Sequence, residues 1–237
     1  MRDEVYRKPR DQIVDFAFDE AVAAAFPDMI RRSVPGYETV VPLSGLIAAR
    51  HARAGCVCYD LGCSLGATAI AIARQLTIPD CRIVAVDDSQ PMLDRARALH
   101  GDEPRIEWTC ADVRDVAFEN TCAVTMNYTL QFVPADDRLP LLTRIRRALH
   151  PDGVLIVSEK VRFADAQEQD YFDENHLAFK RANGYSELEV AQKRTALEKV
   201  LIPDRIEDHE ARFRAAGFGR VHTWFRCLNW VSFAALS

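Results

Sequence analysis

Short apolar runs alternate along the chain with segments in which apolar residues recur every three or four positions. The runs predict strands near residues 56–60, 82–87, 105–109, 122–127 and 153–159, and the spaced segments predict helices near 66–76, 91–100 and 136–149. Apolar residues at i, i+3 and i+4 favour a helix, whereas a short continuous apolar run favours a buried strand. Parallel strands need a crossover connection, so this alternation predicts a parallel, doubly wound sheet.

The chain before the first strand has a different pattern. Residues 19–33 and 39–51 have helical spacing and are separated by Val34-Pro35-Gly36. We expect these two helices to pack as a lead-in to the sheet and to act as a candidate lid. Residues 1–15 are charged and contain Pro9, and we expect them to form a mobile arm.

After the fifth strand, residues 164–199 predict a helical insertion. Within it, Asn183-Gly184 indicates a helix end, and Ser186 with Glu189 forms a capping box for the next helix. One further helix near 207–216 precedes strands near 219–227 and 230–235. Two late strands, one of them antiparallel, are typical of class I methyltransferase sheets.

The fold class that follows is α/β, with a mostly parallel, seven-stranded, Rossmann-like sheet that is doubly wound. A chain of 237 residues can bury one large core of this kind. We therefore expect a single domain over residues 1–237.

The turn after the first strand gives the strongest indication of a ligand. Gly62 permits a sharp turn and the close approach of a ligand, and the helix that follows offers free backbone N–H groups. Asp87 ends the second strand, where an acid accepts hydrogen bonds from ribose hydroxyls in nucleotide-binding βαβ units. Ser64 stands where a dinucleotide fingerprint has its second glycine, which favours a nucleoside without phosphates, such as S-adenosylmethionine. A plain crossover turn is the alternative.

Other polar residues follow the third and fourth strands. Asp112 is placed to accept from an adenine amino group, or else caps a turn. Asn127 ends an apolar strand and indicates a ligand contact, or else caps the next segment. Tyr37 is either a contact from the lid or a packing aromatic, and Arg194 on its own is typical of a solvated helix face.

Composition narrows the class of protein. The net charge of −5 gives no support for binding nucleic acid directly, and no apolar run is long enough to span a membrane. The seven cysteines lie mostly in strand-like runs and include no Cys-x-x-Cys. We therefore expect no metal site, and a reducing cytoplasm as the location.

Several longer stretches resemble the carboxy-S-adenosylmethionine synthase family, from about residue 15 to the C-terminus. They are Phe26-Pro27-Asp28-Met29-Ile30, Arg32 through Tyr37, Tyr59 through Ala67, Thr129-Leu130-Gln131-Phe132, Ser158-Glu159-Lys160, and Phe179 through Leu188 with Gln192-Lys193-Arg194.

This resemblance implies a set of residues that bind S-adenosylmethionine or its carboxylated form. They are Tyr37, Gly62, Cys63, Ser64, Asp87, Asp88, Asp112, Val113, Asn127 and Arg194. Arg194 is implied to contact the added carboxylate and is the only candidate for a catalytic role. The family has Asp-Asn where this chain has Asp87-Asp88. This difference would not affect a contact between the adenosine and the backbone of residue 88.

The resemblance also implies a reaction. S-adenosylmethionine and prephenate give carboxy-S-adenosylmethionine, phenylpyruvate and water, and the product can copurify. A partner tRNA carboxymethyltransferase then uses the product to form 5-carboxymethoxyuridine at the wobble position. We expect a homodimer in which residues 164–199 approach the second subunit, since Tyr171, Phe172, Leu177 and Phe179 are available for burial; an intramolecular cover is the alternative.

Two other functions stay open on the residues alone. One is an ordinary methyltransferase acting on a small molecule or tRNA, which needs a base near the methyl group and no cation over it. The other is a carrier that holds the modified nucleoside without turnover.

Overall fold

The computed structural model describes residues 2–9, 14–101 and 103–237. The helices are α1 (Glu20–Ser33), α2 (Tyr37–Arg50), α3 (Ala67–Gln75), α4 (Gln90–His100), α5 (Ala135–Ala148), α6 (Ala166–Ala182), α7 (Glu187–Leu197) and α8 (Ile206–Ala215), with a 3-10 turn at Leu130–Phe132. The strands are β1 (Val57–Leu61), β2 (Arg82–Asp87), β3 (Ile106–Cys110), β4 (Thr121–Asn127), β5 (Leu149–Lys160), β6 (Arg220–Cys227) and β7 (Trp230–Leu236).

The seven strands form one sheet in the order β3-β2-β1-β4-β5-β7-β6. Strands β1 to β5 are parallel, and β7 lies antiparallel between β5 and β6. The predicted fold class is therefore confirmed, including the two late strands. The order reverses at β1 and β4, which is where open α/β sheets bind ligands at the carboxyl ends of their strands.

The side chains of β1 alternate between two apolar cores, one on each face of the sheet. Tyr59 and Leu61 belong to the core that includes residues of α5 and α8. Cys58 belongs to the opposite core, which includes residues of α2 and α3. This alternation is the period of two that a strand imposes on its side chains.

A bulge in β4 interrupts that alternation. Val57 pairs with Thr121 and Cys58 pairs with Ala123, which leaves Cys122 without a partner in register. Cys122 and Ala123 consequently both belong to the core on the α2 and α3 side, although consecutive residues of a regular strand face opposite ways.

The fifth strand begins earlier than the sequence predicts. Leu149 pairs with Thr121, and the register then shifts so that Val154 pairs with Ala123. The Pro-Asp-Gly segment at 151–153 is therefore an irregularity inside β5 and does not precede it. The pairing of Leu149 shortens α5 by one residue relative to the predicted helix end.

The beginning of the chain is packed, which differs from the mobile arm expected over residues 1–15. Asp3 and Tyr6 are buried, with 2% and 6% of their surfaces exposed. The Tyr185 hydroxyl donates to the Asp3 carboxylate, and the Gln192 amide donates to the Tyr6 carbonyl at 2.9 Å. The arm thereby contacts the insertion; residues 1 and 10–13 lie outside the described part of the chain.

The predicted insertion over 164–199 consists of α6 and α7. The Asn183-Gly184 turn separates the two helices, and the capping box of Ser186 and Glu189 is present at the start of α7. Among the described residues, no helix combines the length and apolar content that crossing a membrane requires.

Candidate functional site

The turn that follows β1 is held tightly against the end of β2. Gly62 has a φ of +71°, and its N–H donates to the Val86 carbonyl at 2.8 Å. A side chain at this position would meet Thr129, whose Cβ lies 2.9 Å from the place of an added Cβ. The segment then enters α3 at Gly66, which caps the helix without a side-chain hydrogen bond. The N-terminus of α3 therefore offers backbone N–H groups at this edge of the sheet.

Asp87 connects the end of β2 to this turn. Its carboxylate accepts from the Ser64 N–H at 2.8 Å and from the Ser89 N–H at 3.0 Å. Burial raises the pKa of Asp87 to about 6, against the opposing effect of these two hydrogen bonds. The carboxylate thus lies beside the glycine turn, where a ribose would be held.

Binding of S-adenosylmethionine is expected to weaken as the pH falls through about 6, because that is the pKa of Asp87. If the ribose hydroxyls donate hydrogen bonds to Asp87, as the sequence predicts, the ligand prefers the ionised carboxylate and competes with one proton. The affinity then falls by about tenfold per pH unit at the acidic limit. Titration calorimetry between pH 5 and 8 measures it. Asp87→Asn should bind more weakly and without this pH dependence, and a parallel pH profile in that variant would contradict the assignment.

Four of the predicted site residues do not line the cavity described below: Asp87, which contacts the glycine turn, and Asp88, Asp112 and Val113. Asp88 is exposed beyond the end of β2, and Val113 is buried in the core beside α5. Asp112 is paired with Arg114, whose Nε lies 3.0 Å from both carboxylate oxygens. The ion pair with Arg114 holds the pKa of Asp112 below its usual value although burial opposes it. An adenine amino group would have to share the Asp112 carboxylate with Arg114.

Asn127, at the end of β4, is fixed by polar neighbours on both sides. Its Nδ2 donates to the Thr68 hydroxyl at 3.1 Å, and its Oδ1 accepts from the Ser158 hydroxyl at 2.7 Å. These contacts join the start of α3 to the ends of β4 and β5. Asn127 therefore presents a rigid polar edge to the adjoining space.

A cavity of about 350 Å³ lies over the carboxyl ends of β1, β4 and β5. The side chains of α1, α6 and α7 enclose it from above. Of the predicted site residues, it brings together Tyr37, Gly62, Cys63, Ser64, Asn127 and Arg194. Much of the remaining wall is aromatic and includes Phe18, Phe26, Tyr128, Phe132 and Trp230.

Four cationic side chains line one side of this cavity: Lys160, Lys180, Lys193 and Arg194. Asp173 lies among them, with a carboxylate oxygen 3.8 Å from the Lys160 amine. Lys193 is satisfied by the Ser33 hydroxyl at 2.9 Å and by Asp3 at 3.7 Å. The other two cations, Lys180 and Arg194, have no hydrogen bond or ion pair within the described parts of the chain.

The crowding of these cations changes their protonation. Burial lowers the pKa of Lys180 to about 7, and the charges of Lys193, Lys160 and Arg194 add to the effect. Burial likewise lowers the pKa of Lys193 to about 8, with Asp3 opposing it. An anion bound between them would raise both values, because it would stabilise the ammonium forms.

The floor of the cavity is clamped by a buried acid. Glu159 is fully buried at the end of β5, and its two oxygens accept from the N–H groups of Leu130 and Gln131 at 2.8 and 3.0 Å. Burial raises the pKa of Glu159 to about 8 against these hydrogen bonds. The clamp holds the 3-10 turn, so that Gln131 and Phe132 keep their places in the cavity wall.

Sequence reasoning assigned no site role to Lys160, Lys180 or Lys193. The sequence does contain an indication that Lys160 belongs to a site, since it is a charged residue at the carboxyl end of a buried parallel strand. The sequence contains no such indication for Lys180 or Lys193, because each belongs to a polar helix whose orientation depends on tertiary packing.

Residues 58–153 match a family model described as a methyltransferase domain. The chain is 50% identical over 238 residues to a Geobacter metallireducens protein named carboxy-S-adenosyl-L-methionine synthase, and the match covers 99% of this chain and 98% of that protein. A Pseudomonas putida protein of the same name is 50% identical over 241 residues, covering 99% and 98% of the two chains.

Solved structures of methyltransferases share the fold at much lower identity. A putative S-adenosyl-L-methionine-dependent methyltransferase from Methanococcus maripaludis superposes with a TM-score of 0.61 at 18% identity, covering 97% of each chain. A putative methyltransferase from Haloferax volcanii, in complex with the Trm112 activator, superposes with a TM-score of 0.63 at 16% identity. The match covers 97% of this chain and 99% of that chain. The fold is therefore the Rossmann-like fold of class I methyltransferases.

Proposed function

The chain belongs to the carboxy-S-adenosyl-L-methionine synthase family and is an enzyme, and from this premise we propose that it converts S-adenosylmethionine and prephenate into carboxy-S-adenosylmethionine, phenylpyruvate and water. The observation that carries the proposal is the pair of unpaired cations, Lys180 and Arg194, beside the nucleoside site. Prephenate has two carboxylates, and a cavity with surplus positive charge and aromatic walls suits an anion that carries a carbon ring.

The predicted site residues divide between the two substrates. We assign S-adenosylmethionine to the edge formed by the ends of β1, β2 and β4, where Gly62, Asp87 and Asn127 lie. The resemblance adds Tyr37, Cys63 and Ser64 around the cavity, and Asp88, Asp112 and Val113 towards the adenine. Prephenate occupies the part of the cavity below α6 and α7.

The chemistry balances without a strong base from the protein. Prephenate loses its ring carboxylate as carbon dioxide and its ring hydroxyl as hydroxide, and becomes phenylpyruvate. The sulfonium methyl group is acidified by its positive charge and gives one proton to the hydroxide, which forms water. The resulting carbon nucleophile captures the carbon dioxide. The protein contributes positioning and charge neutralisation, which the cations of the cavity and the backbone held by Glu159 support.

A labelling experiment tests the reaction. Prephenate carrying carbon-13 in its ring carboxylate is incubated with S-adenosylmethionine and enzyme, and the nucleoside product is analysed by mass spectrometry. The label should appear in carboxy-S-adenosylmethionine in step with the release of phenylpyruvate. An unlabelled product would contradict the proposal, and tight retention of the nucleoside without turnover would favour the carrier.

The ordinary methyltransferase is less well supported by the site. Transfer of a methyl group to an acceptor needs a base beside that acceptor. The side chains that line this part of the cavity carry surplus positive charge, which favours an anionic co-substrate over a neutral methyl acceptor.

Lys180→Met is expected to raise KM for prephenate and leave the affinity for S-adenosylmethionine unchanged. A hydrogen bond to a charged group contributes about 1.5–3 kcal/mol, or roughly ten- to a hundredfold. Because the pKa of Lys180 is about 7 without an anion, prephenate binding near neutral pH should also take up protons, seen as a binding enthalpy that depends on the buffer. Lys199→Met, at an exposed lysine after α7, is the matched control. Equal effects of both variants would contradict the role of Lys180.

We further propose that the enzyme is a homodimer that brings the insertion of one subunit towards the other. Tyr171 on α6 is 62% exposed and Leu188 on α7 is 39% exposed, which leaves apolar surface on both helices. Light scattering at micromolar concentration should give twice the mass of one chain. Tyr171→Glu should shift the mass towards the monomer, and a monomer in the unaltered protein would contradict the proposal.

The product has a chemically obvious use as a carboxymethyl donor. We propose that a tRNA carboxymethyltransferase consumes it in the cytoplasm to modify the wobble uridine. The net charge of −5 supports no direct contact of this chain with tRNA.

A further inference from the structure

A short segment before α1 crosses one side of the cavity. Within residues 14–19, Phe16 and Phe18 are half-buried, whereas the residues beside and between them are exposed. Both phenylalanines line the cavity. We call residues 15–18 the strap. Its alternating exposure turns two aromatic rings inwards and leaves the rest of the segment in contact with solvent.

The strap is fixed at both ends by hydrogen bonds to different helices. The Phe16 N–H donates to the Ala196 carbonyl near the end of α7 at 3.0 Å. The Ser89 hydroxyl, at the start of α4, donates to the Phe18 carbonyl. The Ser89 N–H also donates to the Asp87 carboxylate at 3.0 Å. The strap therefore runs from the helix that supplies two cations of the cavity to the acid assigned to the ribose.

Phe18 is the central ring of an aromatic wall. Its ring centroid lies 5.1 Å from that of Phe16, 6.3 Å from that of Phe26 and 5.6 Å from that of Phe132, with interplanar angles between 62° and 80°. Edge-to-face contacts of this kind are favourable between aromatic rings. All four rings line the cavity. The strap thus adds two rings to a wall that carries no polar side chain.

The other two rings of the wall are held by the body of the fold. Phe26 belongs to α1, and Phe132 ends the 3-10 turn whose N–H groups Glu159 binds. The strap is consequently the part of the wall that is added by the N-terminal arm, and Phe18 is where the two parts meet.

The proposed reaction needs a dry cavity. It forms a carbon nucleophile from the sulfonium methyl group, and this nucleophile has to meet carbon dioxide before it meets water. A water molecule beside the carbon would return a proton to it, and an open cavity would also let carbon dioxide escape. Enzymes that form reactive intermediates prevent such side reactions by closing the site against water.

Resting on that proposed function, we propose that the strap seals the cavity through Phe18 and so determines whether the carbon nucleophile is carboxylated or protonated. In the side reaction, the carbon takes a proton from solvent water, which regenerates S-adenosylmethionine and leaves hydroxide. The net change is then the conversion of prephenate into phenylpyruvate, carbon dioxide and hydroxide. Phe18 is a positioning residue in this scheme, since it acts by keeping water away from the reacting atoms.

Packing alone is the alternative role for these rings. Phe16 and Phe18 also contact a small apolar cluster between α1 and α4. If they served only that cluster, their loss would lower stability and turnover but would leave the ratio of the two products unchanged. The product ratio therefore separates the two roles.

The test uses the full chain with S-adenosylmethionine and prephenate in deuterium oxide. Carboxy-S-adenosylmethionine and phenylpyruvate are measured by mass spectrometry, after subtraction of the phenylpyruvate formed without enzyme. Their ratio should be close to one in the unaltered protein. In Phe18→Ala the ratio should fall severalfold, and the recovered S-adenosylmethionine should carry deuterium in its methyl group.

Three further variants sharpen this experiment. Phe18→Leu should keep most of the ratio, because leucine fills much of the same space. Ser89→Gly removes the hydroxyl that holds the strap, although glycine is accepted at a helix N-cap, and it should shift the ratio as Phe18→Ala does. Phe118→Ala removes a half-buried phenylalanine that contacts Tyr59 and does not line the cavity, and it should leave the ratio unchanged.

Several outcomes would overturn the seal. They are a ratio near one in Phe18→Ala, recovered S-adenosylmethionine without deuterium in that variant, or an equal fall of the ratio in Phe118→Ala. If Phe18→Ala does not fold, Ser89→Gly decides by the same two measurements. Failure of the proposed function would look different, since the unaltered protein would then form no carboxy-S-adenosylmethionine at all.

Discussion

Replacing Arg194 by alanine is expected to weaken the binding of carboxy-S-adenosylmethionine by roughly ten- to a hundredfold, and the binding of S-adenosylmethionine hardly at all. Arg194 lines the cavity and has no partner among the described residues, so its guanidinium is available to the carboxylate that distinguishes the two ligands. A charged hydrogen bond of about 1.5–3 kcal/mol accounts for that range. Titration calorimetry with both ligands measures the difference.

Two further variants sharpen this experiment. Arg194→Lys should recover only part of the loss, because an ammonium cannot form the paired hydrogen bonds of a guanidinium. Arg181→Ala removes an arginine of the same insertion that is already paired with Glu187 on the surface, and it should leave both affinities unchanged. If Arg194→Ala weakened both ligands equally, Arg194 would be a structural residue.

Gly62→Ala is expected to abolish measurable binding of S-adenosylmethionine and to lower the melting temperature by on the order of 10 °C. A non-glycine residue at positive φ costs about 1–3 kcal/mol, and overpacking adds about 1–3 kcal/mol; each kcal/mol is worth about 2–4 °C in a chain of this size. The added methyl would meet Thr129. That side chain cannot retreat without losing its 2.8 Å hydrogen bond to the Leu61 carbonyl.

Gly55 provides a matched control, since it has the same φ of +71° and no atom within 4 Å of an added Cβ. Gly55→Ala therefore carries the backbone cost without the collision or any change at the site. Differential scanning calorimetry and ligand titration on both variants separate the two contributions. Equal losses of stability in the two variants would show that Thr129 adapts.

The α/β alternation was predictable because buried parallel strands and amphipathic helices differ in the period of their apolar residues. The seven-stranded sheet and the capping box of α7 follow from such local signals. The glycine turn and the place of Asp87 at the end of β2 were predictable too, since a glycine between an apolar strand and a helix indicates a sharp turn and an acid that follows an apolar run indicates the end of a strand. The start of β5 was not predictable, because Leu149 pairs with Thr121 before a register shift and no local sequence pattern indicates that shift.

The cationic side of the cavity could not be predicted from single residues. Lys180 and Lys193 lie on helices with polar faces, and only the packing of α6 and α7 over the sheet turns those faces inward. The same reason applies to the N-terminal arm. Asp3 belongs to a charged stretch that is typical of a solvated tail, yet it is buried because Tyr185 and Lys193 supply its partners.

The placement of the four cations bears on how this enzyme can be re-engineered. They lie between Lys160 and Arg194, beyond residue 153, where the match to the methyltransferase domain ends. On the proposed function, the choice of co-substrate is encoded in one continuous cassette, residues 160–194, which begins at the end of β5. A chimera that exchanges this cassette would keep the nucleoside half intact. It would also have to exchange the arm, since Asp3 neutralises Lys193 and a transplanted cassette without it would carry an uncompensated buried charge.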